Sequence, residues 1–160
     1  MRLTRALLTC ALGGIAIAAC GDDTTTPTPR ERYVLTLTGL NERPNAVNAA
    51  SSGSAIVTVL SPDSIEWMLY VASMDSITAG HFHAADANSN GPVMFFVFSG
   101  PTTDRGINGR LSSGIITRQS TFSGAFNYDS LLTRIRAGTT YLNVHTRRNP
   151  GGEIRAQVTK

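Results

Sequence analysis

Residues 54–71 read SAIVTVLSPDSIEWMLYV, and this stretch decides the fold. Two runs rich in β-branched, aromatic and other apolar residues, 54–60 and 64–71, flank Ser61-Pro62-Asp63. Proline and aspartate supply the backbone geometry of a tight turn at low cost. The pattern therefore predicts an antiparallel β-hairpin.

Short strand-like segments continue on both sides of this hairpin. Residues 33–38, YVLTLT, alternate apolar and polar side chains with a period of two and stop at Gly39, which indicates a strand. Further segments are separated by Gly, Pro, Asn or Ser, namely 80–84, 93–98, 121–127, 140–146 and 153–158. Seven or eight short strands predict an all-β domain, an antiparallel β-sandwich of immunoglobulin-like or barrel-like form.

Helical periodicity is nearly absent from the chain. Residues 128–137 are expected to form either a short helix or a loop, with Leu131, Leu132 and Ile135 on one side. The predicted core consists of apolar strand residues: Leu35, Ile56, Val59, Trp67, Leu69, Phe82, Phe96, Phe98, Leu142, Val144 and Ile154.

The charge of the chain argues against nucleic acid as a partner. The formal net charge of the 160 residues is +3, and two of the basic residues, Arg2 and Arg5, precede an apolar run at the extreme N-terminus. Without them, 12 basic residues face 11 acidic ones and the basic residues are scattered. No basic stripe is present, so an electrostatic partner such as DNA or RNA is not expected.

The N-terminus is typical of a secretion signal. Residues 1–5 carry positive charge, and 6–19 form an apolar run shorter than the roughly 20 residues that a membrane-spanning helix needs. The run ends in Ile17-Ala18-Ala19-Cys20, which resembles the lipobox of bacterial lipoproteins. The resemblance implies a signal peptide over 1–19, cleavage before Cys20 and a lipid on its sulfur. The alternative is an incidental cysteine near an ordinary cleavage site.

A polar tether is expected after the lipidation site. Residues 21–30 contain two prolines and no apolar residue, so this segment cannot bury enough surface to fold. We expect residues 20–32 to link the lipid to a folded domain over 33–160. Gly21 is not the aspartate associated with retention in the inner membrane, so the lipoprotein resemblance favours the outer membrane of a bacterial cell envelope.

All three histidines lie in two strand-like segments, His81-Phe82-His83 and Tyr141-Leu142-Asn143-Val144-His145. Side chains alternate between the faces of a strand, so His81 and His83 share one face. If Phe82, Leu142 and Val144 face the core, all three histidines lie on the opposite face, and they converge if the strands are neighbours. Three imidazoles suit zinc or copper. The alternative is histidines that hydrogen-bond nearby loops and hold no metal.

A fourth ligand and supporting groups have several candidates. Water, Glu42, Asp86 or Glu153 is a possible fourth ligand. Glu153 and Arg155 share a face of the last strand, and Glu153 is a candidate for orienting a histidine by accepting its ring proton. A salt bridge that fixes this strand is the structural alternative.

Several motifs together resemble the CHRD domain, a module named after chordin and widespread in bacterial secreted proteins and lipoproteins. They are LTGLNERP at 37–44, AGHFH at 79–83, GPV at 91–93, GTTYLNVHT at 138–146 and NPGGEIR at 149–155. The resemblance covers about 33–158 and implies a β-sandwich-like extracytoplasmic domain. The characteristic polar residues at matching positions are Glu42, His81, His83, Asn143, His145, Glu153 and Arg155. Ala84-Ala85-Asp86 and Ala156 stand where the family often has glycine.

Sequence motifs for catalysis are missing from the chain. There is no nucleophile elbow, phosphate loop or dinucleotide fingerprint, and no cysteine follows Cys20. We therefore expect no catalytic residue and a protein that is not an enzyme. The expected function is a lipid-anchored envelope module that binds an unidentified protein or envelope ligand or has a structural role. The alternative is a zinc- or copper-binding protein or metal-dependent enzyme that uses the three histidines.

Overall fold

A computed structural model describes residues 30–160. The predictions for the signal peptide and for Cys20 lie outside the described residues, as does the tether up to residue 29. Within 30–160, no helix has the length and apolar character needed to cross a membrane. The first strand begins at Glu31, two residues before the expected start of the domain.

Eight antiparallel strands form one sheet, which confirms the all-β prediction in its barrel-like form. The elements in chain order are β1 (Glu31–Thr38), a 3-10 turn (Gly39–Asn41), β2 (Ser52–Ser61), β3 (Ser64–Met74), β4 (Ile77–Ala84), β5 (Val93–Ser99), β6 (Ile107–Thr117), α1 (Tyr128–Ala137), β7 (Thr140–Thr146) and β8 (Ile154–Gln157). The spatial order is β5-β4-β7-β8-β1-β2-β3-β6. The two end strands, β5 and β6, lie near each other, so the sheet is nearly closed.

The predicted hairpin is strands β2 and β3. Val57 lies opposite Trp67, and the register continues to the pair Ser61 and Ser64 at the turn. The inward residues are Ala55, Val57 and Val59 on β2 and Ile65, Trp67, Leu69 and Val71 on β3. Their alternation with half-buried and exposed residues places one face of each strand in the barrel interior.

The predicted strand over 121–127 is wrong. These residues form a loop in which Phe122 and Phe126 pack, partly buried, against the core. The strand lies earlier, at β6, where INGRLSSGIIT has one fully inward apolar side chain, Ile116. Because glycine and serine occupy much of β6, its hydrophobic alternation is too weak to be recognised in the sequence.

Two residues of the predicted core face outward instead. Ile56 is half-buried, since its neighbours Ala55 and Val57 point inward. Phe96 is 50% exposed, because register shifts interrupt the pairing of β4 with β5 and change which residues of β5 point inward. Phe98 is partly buried against the core, and the other eight predicted core residues are buried.

The helical interpretation of 128–137 is confirmed by α1. The Asn127 side chain accepts a hydrogen bond from the Ser130 backbone N–H, and the Asn127 backbone N–H donates to the Ser130 hydroxyl, which together form a capping box. Gly138 ends the helix with a φ of +67°, a left-handed conformation that favours glycine. Leu131, Leu132 and Ile135 are buried in the core, as their spacing predicts.

Candidate functional site

Neighbouring strands β4 and β7 bring the three histidines together. In their antiparallel register, Ala79 lies opposite His145, His81 opposite Asn143 and His83 opposite Tyr141. The intervening residues Phe82, Leu142 and Val144 are fully buried in the barrel interior. The histidines therefore lie on the outer face of the sheet. They converge there, as expected if their two strands are neighbours.

The ring nitrogens lie close enough for one metal ion to reach all three. One ligand atom from each of His81, His83 and His145 lies within 4.8 Å of the others. The tightest pair is His81 Nδ1 and His145 Nε2, which are 3.1 Å apart and hydrogen-bonded. The metal role of these residues stays a prediction.

Backbone carbonyls orient two of the rings. His83 Nδ1–H donates to the carbonyl of Gly91 at 3.0 Å, and His145 Nδ1–H donates to the carbonyl of Pro150 at 2.9 Å. A neutral imidazole with its proton on Nδ1 has a lone pair on Nε2. The Nε2 atoms of His83 and His145 thus carry lone pairs, and backbone carbonyls are usual partners for the other nitrogen of a metal-binding histidine. The lone pair of His145 accepts from His81 Nδ1–H, so a metal ion at this nitrogen would replace that hydrogen bond.

Burial keeps the cluster uncharged. His81 and His83 are 8% and 7% exposed. Desolvation, with a smaller contribution from the neighbouring histidines, lowers the pKa of His81 to about 4. Desolvation also lowers the pKa of His83 to about 4 against the opposing bond to Gly91, and it lowers the pKa of His145. All three rings are neutral near pH 7, so protons do not compete there for the lone pairs.

Two ring nitrogens are buried without any hydrogen-bond partner. They are His81 Nε2 and His83 Nε2. An orphaned buried acceptor is costly in a folded protein and needs a physical explanation. A bound cation would satisfy these lone pairs.

Aromatic side chains enclose the cluster. Phe96 of β5 meets His81 edge-on, with ring centroids 4.3 Å apart. Tyr141 stacks on His83 at 4.6 Å with an interplanar angle of 5°. No local pattern predicts this position for Phe96, which was expected in the core. Tyr141 shares its strand face with Asn143 and His145, as the alternation indicates.

Asn143 and Glu42 form a buried pair beside the histidines. Asn143 Nδ2 donates to both carboxylate oxygens of Glu42, at 2.7 and 2.9 Å. Burial raises the pKa of Glu42 to about 7, although Arg155 and the bond from Asn143 oppose the rise. Gly152 packs against this pair, and a Cβ there would come within 2.5 Å of Glu42 Oε2.

Glu153 does not orient a histidine. Its carboxylate accepts hydrogen bonds from the Ser51 hydroxyl, from Thr146 Oγ1 at 2.5 Å and from Asn149 Nδ2 at 3.0 Å. These bonds join the segment before β2 to the loop after β7. The carbonyls of Gly91 and Pro150 orient the rings instead, and backbone groups carry no residue-type signal by which the sequence analysis could find them.

Arg155 forms no ion pair within residues 30–160, so the salt-bridge alternative is also wrong. The guanidinium is 1% exposed and donates to Asn90 Oδ1 and to the carbonyls of Asp86 and Ser89. It also lies over the Tyr141 ring, 3.5 Å from the centroid. Arg155 therefore fixes the 86–90 loop against the outer face of the sheet.

The candidate carboxylate ligands are engaged elsewhere. Glu42 is held by Asn143, and Glu153 by the three donors named above. Asp86 accepts from the Asn88 backbone and from the Ser89 hydroxyl, both at 2.9 Å. Of the candidates for a fourth ligand, water is the one that these contacts leave free.

The fold and site define a small antiparallel β-barrel module with a histidine cluster on its outer face. The model of the CHRD domain family matches residues 33–158, so the chain belongs to the CHRD family. No curated protein and no solved structure gives a significant match to the chain. Family membership points to a binding or structural module and assigns no specific ligand.

Proposed function

We propose that this protein is a lipid-anchored module of a bacterial cell envelope that binds one zinc or copper ion through His81, His83 and His145. The observation that carries the proposal is the pair of buried, unpartnered Nε2 atoms of His81 and His83. They lie in a cluster whose ligand atoms fall within 4.8 Å of one another. The proposed role is binding, and the candidate carboxylates Glu42 and Glu153 are hydrogen-bonded to other groups.

Purely structural histidines explain the geometry less well. Four of the six ring nitrogens have hydrogen-bond partners. His83 Nδ1 bonds the carbonyl of Gly91, His145 Nδ1 bonds the carbonyl of Pro150, and His81 Nδ1 bonds His145 Nε2. The remaining two nitrogens belong to His81 and His83 and have no partner in the part of the chain that the structure describes. A stabilising role alone leaves these two buried nitrogens without a partner.

Metal content of the full chain, purified in detergent without a histidine tag, tests the metal role. After incubation with zinc or copper salts and removal of free ions, we expect one ion per chain by mass spectrometry. His83→Ala removes a ligand and is expected to abolish retention. Tyr141→Phe keeps the ring stack, loses only a 3.3 Å bond from the Gly91 backbone, and is expected to retain the ion. Wild-type protein that holds neither metal would refute the proposal.

The membrane anchor has its own test. The Ile17-Ala18-Ala19-Cys20 motif supports a diacylglycerol thioether on Cys20, and multiple acyl chains give stable membrane binding where one does not. Expression in a lipoprotein-processing bacterium should give a mature protein that starts at Cys20, carries lipid by mass spectrometry and sediments with outer membranes. Cys20→Ala should be neither lipidated nor retained. A wild-type chain recovered without lipid would contradict the anchor.

A further inference from the structure

Three histidines supply one ligand fewer than a zinc ion takes, so zinc would need a fourth ligand from outside the cluster. Within residues 30–160, the only group of three or more metal-binding side chains is His81, His83 and His145. Protein zinc sites are almost always four-coordinate and complete the set with a protein group or water. Cu(I), a monovalent ion with a filled d shell, is stable with three nitrogen ligands and requires no fourth.

Water has poor access to the cluster. The Nε2 atoms of His81 and His83 each expose less than 1 Å². Phe96 stands edge-on against His81, and Tyr141 covers His83. A fourth, water ligand on the side of His81 and His83 would need these aromatic side chains to move.

The charge around the cluster also disfavours a dication. Among residues 30–160, no carboxylate hydrogen-bonds any of the three rings, and the rings themselves are neutral ligands. Strand β7 lies between β4 and β8, so Tyr141 lies between His83 and the guanidinium of Arg155. The cost of burying an ion grows with the square of its charge, and a nearby cation repels a dication twice as strongly as a monocation.

We propose that the histidine cluster is a closed three-coordinate site selective for Cu(I) over Zn(II). The inference rests on the proposed function, since it specifies which ion the same site holds. Cu(II) is disfavoured as well, because it prefers square-planar or tetragonal coordination and three histidines on one sheet face leave that geometry incomplete. The site would therefore hold copper in its reduced state.

Competition titrations with the full chain in detergent test this selectivity. Cu(I) is added under anaerobic conditions with excess ascorbate against a chromophoric Cu(I) chelator, and Zn(II) is titrated against a zinc indicator. We expect one Cu(I) per chain, bound at least about 100-fold more tightly than Zn(II), because the desolvation cost of an uncompensated dication amounts to several kcal/mol. X-ray absorption is expected to show three nitrogen ligands and no fourth.

A surface substitution tests the cause of the selectivity. Phe96→Ala removes the ring that covers His81 and admits water as a fourth ligand. It is therefore expected to lower the ratio of Cu(I) affinity to Zn(II) affinity. Ile115→Ala is a matched control, since Ile115 is 55% exposed on β6 and Phe96 is 50% exposed on β5. The control should leave the ratio unchanged.

The outcomes separate this inference from the proposed function. Zinc bound as tightly as Cu(I) and lost in His83→Ala would refute the selectivity while the metal-binding proposal stands. A four-coordinate Cu(I) spectrum would also refute the closed site. Wild-type protein that binds neither ion would refute both.

Discussion

Replacing Glu42 with glutamine should make the folded protein more stable at high pH. Glu42 is 2% exposed, and burial raises its pKa from the ordinary 4.5 to about 7. A carboxyl group whose pKa is higher in the folded state loses its proton at a cost to the fold. That cost is absent below pH 4.5, grows as the pH rises and is complete above about pH 7.

The pKa difference sets the size of the effect. At 1.36 kcal/mol per pH unit, the ionised carboxylate lowers the free energy of unfolding by about 3 kcal/mol above pH 7. Glutamine has nearly the same shape and no charge. Its carbonyl can accept from Asn143 Nδ2 as one carboxylate oxygen does, while the amide that replaces the other oxygen loses its bond from Nδ2 at every pH. The free energy of unfolding of Glu42→Gln, measured relative to wild type, should therefore rise by about 3 kcal/mol from pH 4 to pH 8.

Urea unfolding of both proteins at intervals between pH 4 and pH 8 measures this difference. Glu31→Gln is the control with the opposite sign, because the hydrogen bond from Arg136 lowers the pKa of Glu31. Glu31 contributes stability that is present at high pH and lost as the pH falls, so its replacement should not stabilise the protein at pH 8. An effect of Glu42→Gln that does not change with pH would refute the reasoning.

Two further predictions concern packing, and both are measured by urea unfolding. Phe82→Ala should lower the free energy of unfolding by about 3–5 kcal/mol because the Phe82 ring is fully buried, whereas Phe96→Ala should lower it by less than about 1 kcal/mol because Phe96 is half-exposed. Similar losses for the two variants would show that Phe96 belongs to the core. Gly152→Ala should lose about 1–3 kcal/mol, since φ is +135° and the added Cβ meets the Glu42 carboxylate. Gly151→Ala meets no atom within 4 Å and is the matched control, so equal losses at the two glycines would contradict the close approach.

Local patterns predicted much of the fold. The alternation in 33–38 and 64–71 identified β1 and β3 because one face of each strand is buried and the other is not. Strand β6 was missed because it lacks this alternation: most of its residues are polar or glycine, and only Ile116 points fully into the core. Phe122 and Phe126 suggested a strand, but they are core contacts made by a loop.

The candidate site was predictable up to the point where strand order matters. The His-x-His spacing places His81 and His83 on one face of their strand. In the second segment, alternation with the inward residues Leu142 and Val144 places His145 on the outer face as well. That β4 and β7 are neighbours is a property of chain topology, which joins residues more than 60 positions apart. The carbonyls of Gly91 and Pro150 reach the rings from loops whose conformation is fixed by tertiary contacts, so no local pattern reveals them.

The position of β8 has a consequence for how the domain folds. This strand of four residues lies between β7 and β1, and it joins the unit β5-β4-β7 to the unit β1-β2-β3-β6. It is also the last strand of the domain to be synthesised, so the two units cannot be joined through it until 154–157 are available. Pairing across such sequence separations slows folding. Arg155, which fixes the 86–90 loop near the histidines, belongs to the same strand, so we expect the proposed metal capture to follow completion of the barrel.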